Sequence, residues 1–148
     1  MSSTDKKINV WARHKGRKLL VQSLYQWHCN KCEIAEITAQ CQTTHKKAKV
    51  DWLFFSQGFK YITQNIDKLD QQIAPLLDRP VEEVDIIEQA ILRMGAWELT
   101  TDTPVKVVIN EAVEVAKEFA GTDSYKYINS ILDALAKEIA GAYVEDIG

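Results

Sequence analysis

From Trp52 onward the apolar positions fall at Trp52, Phe55, Phe59, Ile62, Ile66, Leu69 and Ile73, alternating steps of three and four. That spacing lays one seam along a helix and predicts a single long helix that ends before Pro75. A second seam runs Val105, Val108, Ala112, Val115, Phe119, with Thr103 as its N-cap, Pro104 at the first helical position and Gly121 beyond its end. Between them, Asp85 and Glu88 have capping-box spacing at the head of "DIIEQAILRMGAWEL". The apolar positions there (Ile87, Ile91, Leu92, Met94, Ala96, Leu99) cover much of the circumference, which predicts a central helix. Gly95 inside it costs about 1 kcal/mol against alanine, which points to a close helix crossing. A first helix is expected from Asn9, as cap, to Trp27, and a second from Lys31 to Gln42 with Ile34, Ile37 and Cys41 on one side. The last begins at Ser124 and carries Ile128, Ile131, Leu132, Leu135 and Ile139. "VKVVI" is β-branched, but the cap, proline and seam around it favour helix, so no strand is expected and the fold class is all-α.

Two prolines in "APLLDRPVEEV", residues 74 to 84, mark the expected break. It separates a three-helix bundle over residues 1–74 from a second helical bundle over 75–148, the two packed as one compact domain. At 148 residues and 46% hydrophobic content the chain can bury a core. It has no 18-residue apolar run, and its first ten residues lack the apolar centre of a signal peptide, so a soluble cytoplasmic protein without a membrane partner is expected. Three cysteines fit a reducing compartment.

Charge changes the picture more. The net charge of -3 conceals a first segment, residues 1–20, with six Lys or Arg against one Asp. Arg13, His14, Lys15, Arg17 and Lys18 crowd the start of the first helix, and no acidic residue occurs between Lys6 and Cys32. In a helix that starts at Asn9, these cations oppose the macrodipole, and Arg13/Arg17 and His14/Lys18 are like-charged pairs one turn apart. A nucleic acid, an acidic protein partner and a solvated face are the three readings; clustering without interspersed acids favours nucleic acid, whose phosphates would offset the repulsion. A second patch, "GTDSYKYINS", sets Tyr125 and Tyr127 around Lys126, an aromatic ring for a base beside a cation for phosphate. Two apart on a helix, the tyrosines point differently, and one of them is expected in the core.

Cys29, Cys32, Cys41 and His45 supply four conceivable zinc ligands, but the spacing from Cys32 to Cys41 matches no common zinc module and Cys41 fits the apolar side of its helix. No metal or cofactor is expected. Nor is an enzyme, because no Gly-rich phosphate loop, HExxH or nucleophile motif is present.

Three blocks, "ARHKGRKLLVQSLYQW", "DIIEQAILRMGAWEL" and "TPVKVVINEAVEVAKEFAGTDSYKYINSILDALA", resemble the NusB family of bacterial transcription antitermination factors. The resemblance spans most of the chain in order, and the last block is the most specific. It implies an all-helical fold of two small bundles and no catalysis. It also implies pairing with NusE, a ribosomal small-subunit protein, and binding of boxA in nascent ribosomal RNA, so that RNA polymerase with NusA and NusG reads through terminators. The family's arginine-rich segment falls on Arg13, His14, Lys15 and Arg17, with Lys18 adjoining, and its second RNA-facing patch on Asp123, Lys126 and Tyr127. Its NusE side falls on Tyr25 and Glu88. The chain departs from the family's commoner arginine run at His14 and Lys15, and has Gly16 where a helix former is usual. The rival readings are the RNA-binding N-terminal part of a ribosomal RNA methyltransferase and a pure protein-interaction module.

Overall fold

Every residue from Gln89 to Glu98 is buried, so the helix read as central has no face left for solvent. The computed structural model describes residues 3–147, with side chains described over 10–141. Its helices are α1 (Ser3–Asn30), α2 (Ile34–Thr44), α3 (Trp52–Gln64), α4 (Ile66–Ile73), α5 (Ile86–Glu98), α6 (Val105–Phe119) and α7 (Ser124–Ile147). Tight 3-10 turns at Ala74–Leu76 and Val81–Glu83 join α4 to α5. The fold is all-α, and no strand occurs among the described residues. Nor is any helix among them long and apolar enough to cross a membrane.

The chain divides into two units, Met1–Gln64 and Asn65–Gly148, so the division falls earlier than the expected one at residue 74. In the first unit α1 packs on α2 and α3. The seam of α3 supplies an aromatic row, with Trp52 and Phe55 edge to face at 5.3 Å and Phe55 and Phe59 at 5.6 Å. The long helix expected from Trp52 to Ile73 is instead interrupted at Asn65, whose backbone (φ -129°, ψ 30°) leaves the helical region and caps α4. The Thr63 hydroxyl bonds back to the Phe59 carbonyl at 2.7 Å, one of the local contacts by which threonine competes with helix continuation. Because the break keeps the phase, Ile62 and Leu69 are both buried and the seam reads as continuous.

In the second unit α4, α6 and α7 each pack against α5. Asp85 caps α5 as its spacing predicts, accepting the Ile87 and Glu88 amides at 2.9 and 3.4 Å. Arg93 and Asp70 pin α5 to α4 through a two-pronged ion pair at 2.9 and 2.8 Å. Helix α6 starts one residue later than expected, with Pro104 in the cap position. Among the described residues no glycine has positive φ, and the left-handed ones are Lys31 (φ 54°) and Asp123 (φ 72°), so Gly121 does not close α6 by a left-handed turn.

The close crossing expected at Gly95 is present. A Cβ there would lie 2.7 Å from Leu132 Cδ1 and 2.8 Å from Cδ2, and Leu132 is fully buried in α7. Gly95→Ala should gain about 1 kcal/mol of helix propensity and lose about 1–3 kcal/mol to overpacking. The net expectation is a lower urea midpoint at unchanged denaturant slope; a raised midpoint would mean that Leu132 has room to turn away.

Candidate nucleic-acid interface

The basic segment lies in the interior of α1, since the helix starts at Ser3 and not at Asn9. The macrodipole acts within the first turn, so it does not oppose Arg13 to Lys18, and that expectation is corrected. Helical geometry sorts the segment into two faces. On the inner one, Ala12, Gly16, Leu19 and Leu20 are buried. A Cβ on Gly16 would meet the Asp51 carbonyl oxygen at 3.3 Å and Phe54 Cδ1 at 3.4 Å, which explains a glycine where a helix former is usual.

Asp51 organises this contact. Its amide donates to the Ala12 carbonyl at 3.0 Å, one carboxylate oxygen accepts the Phe54 amide at 3.0 Å, and the other accepts from Arg13 Nε at 3.2 Å. The guanidinium groups of Arg13 and Arg17 both lie over the Phe54 ring, at 5.1 and 5.2 Å. Arg17 is only 3% exposed. Its charge sits against an aromatic face, an arrangement that suits the flat, weakly hydrated guanidinium, and it is not presented on the outer surface as its RNA-facing assignment requires. Folding therefore gives this like-charged pair a carboxylate and a ring, so the repulsion is not left for phosphate to offset. His14, Lys15 and Lys18 are half-buried on the outer side, following Trp11 at helical spacing.

The second patch is at the start of α7. Asp123 adopts its left-handed conformation there, tolerable for Asp, and its carbonyl accepts the Lys126 amide at 3.0 Å. The two side chains pair at 3.4 Å with about two-thirds of each exposed. Neither tyrosine is in the core; both are half-buried beneath cations. Lys117 and Lys126 lie 5.0 and 5.9 Å from the Tyr125 ring, and Arg79 lies 5.6 Å from that of Tyr127. Tyr127 donates its hydroxyl to Asp78 at 2.9 Å, while Arg79 grips the same carboxylate at 2.8 and 3.0 Å. The Arg79 bond, then that of Tyr127, lowers Asp78 to about 2. Burial is the first cause raising the Tyr127 hydroxyl above its ordinary value.

Of the partner-facing candidates, Tyr25 is 43% exposed on α1. Glu88 is half-buried in the first turn of α5, accepts the Ser124 hydroxyl at 3.3 Å, and is raised from its ordinary value, chiefly by burial. Asp51, Phe54, Asp78 and Arg79 complete these contacts and belong to no motif of the sequence. Asp51 had a signal, standing one residue ahead of the α3 seam where caps belong; the others are brought in by tertiary structure alone.

The candidate zinc ligands are scattered in character: Cys29 is exposed, and Cys32 and Cys41 are half-buried. Among the described residues no group of three His, Cys, Asp or Glu side chains could hold a metal. Cys41 and His45 instead line a polar cavity of about 180 Å³ with Gln22, Ser23, Gln26 and Gln40. Burial raises the Cys41 thiol, against the Ser23 hydrogen bond.

The hydroxyl of Tyr127 and the Asp78 carboxylate can be separated by one atom. In Tyr127→Phe, Asp78 should titrate above about 2, yet still below the ordinary carboxylate range because the larger cause, Arg79, remains. As a depressed acid, Asp78 keeps this contact at neutral pH and loses it only as pH falls towards the folded value. Carbon-detected NMR titration of the carboxyl reads this directly; an unchanged midpoint would mean that the hydroxyl contributes nothing.

Comparison with known proteins gives a consistent result. The model of the NusB family matches residues 14–137. The transcription antitermination protein NusB of Marinobacter nauticus is 43% identical over 129 residues, covering 86% of this chain and 82% of that protein. Its counterpart in Colwellia psychrerythraea is 40% identical, covering 86% and 94%. Among solved structures, NusB of T. maritima superposes with a TM-score of 0.75 at 28% identity, covering 85% of this chain and 91% of that one. A chain from the complex of antitermination factors NusB and NusE with double-stranded RNA shares the fold at TM-score 0.75 and 21% identity, covering 84% and 96%.

Proposed function

The chain belongs to the NusB family of transcription antitermination proteins, which is not a family of enzymes, and from that premise we propose that it binds RNA together with NusE. The RNA is boxA of nascent ribosomal transcripts, and the bound complex, with NusA and NusG, lets RNA polymerase read through terminators in the cytoplasm. The observation that carries the reading is the basic run Arg13 to Lys18 on an otherwise acidic chain, uninterrupted by an acid from Lys6 to Cys32. The solved complex of NusB and NusE with double-stranded RNA supports the choice of partners.

Within this reading the residues have unequal tasks. Arg13, His14, Lys15 and Lys18 meet phosphates, while Arg17 holds α1 against Phe54 and shapes the surface from beneath. Lys126 adds a phosphate contact at the second patch. Asp123 places Lys126, and Tyr127 offers its ring to a base with Arg79 already beside it. Tyr25 and Glu88 face NusE. Glu88 suits a basic partner because its carboxyl is already partly desolvated.

Lys15→Ala should weaken boxA binding and reduce the slope of log K against log salt by about 1. An unchanged slope in an electrophoretic titration would assign Lys15 to a solvated face. Arg17→Ala should instead lower thermal stability, which separates the supporting arginine from the contacting ones. On the partner side, Glu88→Lys places a cation where a basic protein meets an acid, an exchange that costs about 2–5 kcal/mol when the contact is desolvated. Calorimetry with NusE should show pairing lost at unchanged helix content; wild-type affinity would remove Glu88 from the interface.

A further inference from the structure

Trp11 is 73% exposed, the highest value among the exposed large apolar side chains described. It lies outside the residues that match the family, 14–137, so membership assigns it no task. On α1 the positions 11, 14, 15 and 18 follow the i, i+3, i+4, i+7 pattern of one helix face, turned away from the buried stripe of Ala12, Gly16 and Leu19. The indole therefore heads a row made of His14, Lys15 and Lys18. At 1.5 Å rise per residue it stands about 6 Å along the axis from Lys15.

We propose that Trp11 is a stacking platform for a base of single-stranded RNA whose phosphates are held by Lys15 and Lys18. The proposal rests on the RNA-binding reading above and adds to it a base contact in the first unit. Phosphate contacts position a strand but read nothing of it, whereas an aromatic ring beside a cationic track takes any base by its π-face. Val10 and Leu53 are also exposed, at 61% and 69%, and an apolar protein partner is the competing occupant. Charge decides for RNA: the face running on from Trp11 carries three basic side chains, and α1 has no acid between Lys6 and its end at Asn30.

The test uses the full chain with two probes, a short oligouridylate and an abasic ribose-phosphate oligomer of the same length. Trp11→Ala should lower affinity for the oligouridylate roughly ten- to a hundredfold, leaving affinity for the abasic oligomer and the salt slope unchanged. Trp11→Phe, which keeps a ring, should retain most of the affinity. Lys15→Ala should weaken both probes alike. If Trp11→Ala binds the oligouridylate as wild type does while Lys15→Ala weakens it, stacking is overturned and the RNA reading stands. If Lys15→Ala changes neither probe, the RNA reading falls and takes the proposal with it. Loss of both probes in Trp11→Ala would make the residue structural. Reduced affinity for NusE with RNA binding intact would make Val10, Trp11 and Leu53 a protein contact; each of these last two outcomes also overturns the proposal.

Discussion

A helix with no solvent face has to be enclosed, and the burial of α5 from Gln89 to Glu98 is the constraint from which the second unit follows. Enclosure demands neighbours on several sides, which α4, α6 and α7 provide, and it demands that one of them come close. Gly95 permits that approach by leaving the space Leu132 fills. The two-pronged Arg93–Asp70 pair then fixes the α4 side with a geometry that a sliding apolar contact would not specify. With α7 held along α5, the first turns of the two helices meet, and the Ser124 hydroxyl reaches Glu88. The candidate partner carboxylate and the candidate RNA patch at Asp123 to Tyr127 are thus set in register by packing that neither of them makes.

In the first unit a single carboxylate has a comparable position. Asp51 ends a loop, caps α3 and pairs with Arg13. Replacing a cap of this kind costs about 0.5–2 kcal/mol, so Asp51 would be retained for folding alone, yet it also takes up one of the cations, Arg13. Arg13 is drawn partly in, Arg17 is buried over Phe54, and the outer face is left to Lys15 and its neighbours. A basic run in sequence becomes two layers in space, one that builds the surface and one that forms it.

The seams were legible because helical period survives in sequence whatever the tertiary structure does, and Gly95 was legible because a glycine in a helix is a cost that needs a reason. The break at Asn65 was not: Ile62 and Leu69 stay seven positions apart, so a one-residue departure leaves the pattern intact. The start of α1 was misplaced because Asn9 has the chemistry of a cap, and capping chemistry says where a helix can begin, not where it must. Charge was the weakest guide. Arg17 reads as exposed until Phe54 is brought beneath it, and Tyr127 reads as a lone ring until Asp78 and Arg79, distant in sequence, join it.

That last arrangement recurs and bears on how an acidic chain can present phosphate sites. Arg79, Lys117 and Lys126 each lie over an aromatic ring and each also faces an exposed carboxylate: Asp78, Glu114 and Asp123. The ring holds a cation without neutralising it; the carboxylate neutralises it without holding it firmly, because an exposed pair is worth only about 0–1 kcal/mol. On the proposed RNA reading, a phosphate would replace the carboxylate while the cation stays in place on its ring, a position that the fold sets beforehand. The exchange has a thermodynamic signature. A phosphate that displaces an internal carboxylate releases its own counterions but leaves that carboxylate to gather cations from solution. Such paired positions should add less to the salt dependence of binding than an outward lysine such as Lys15.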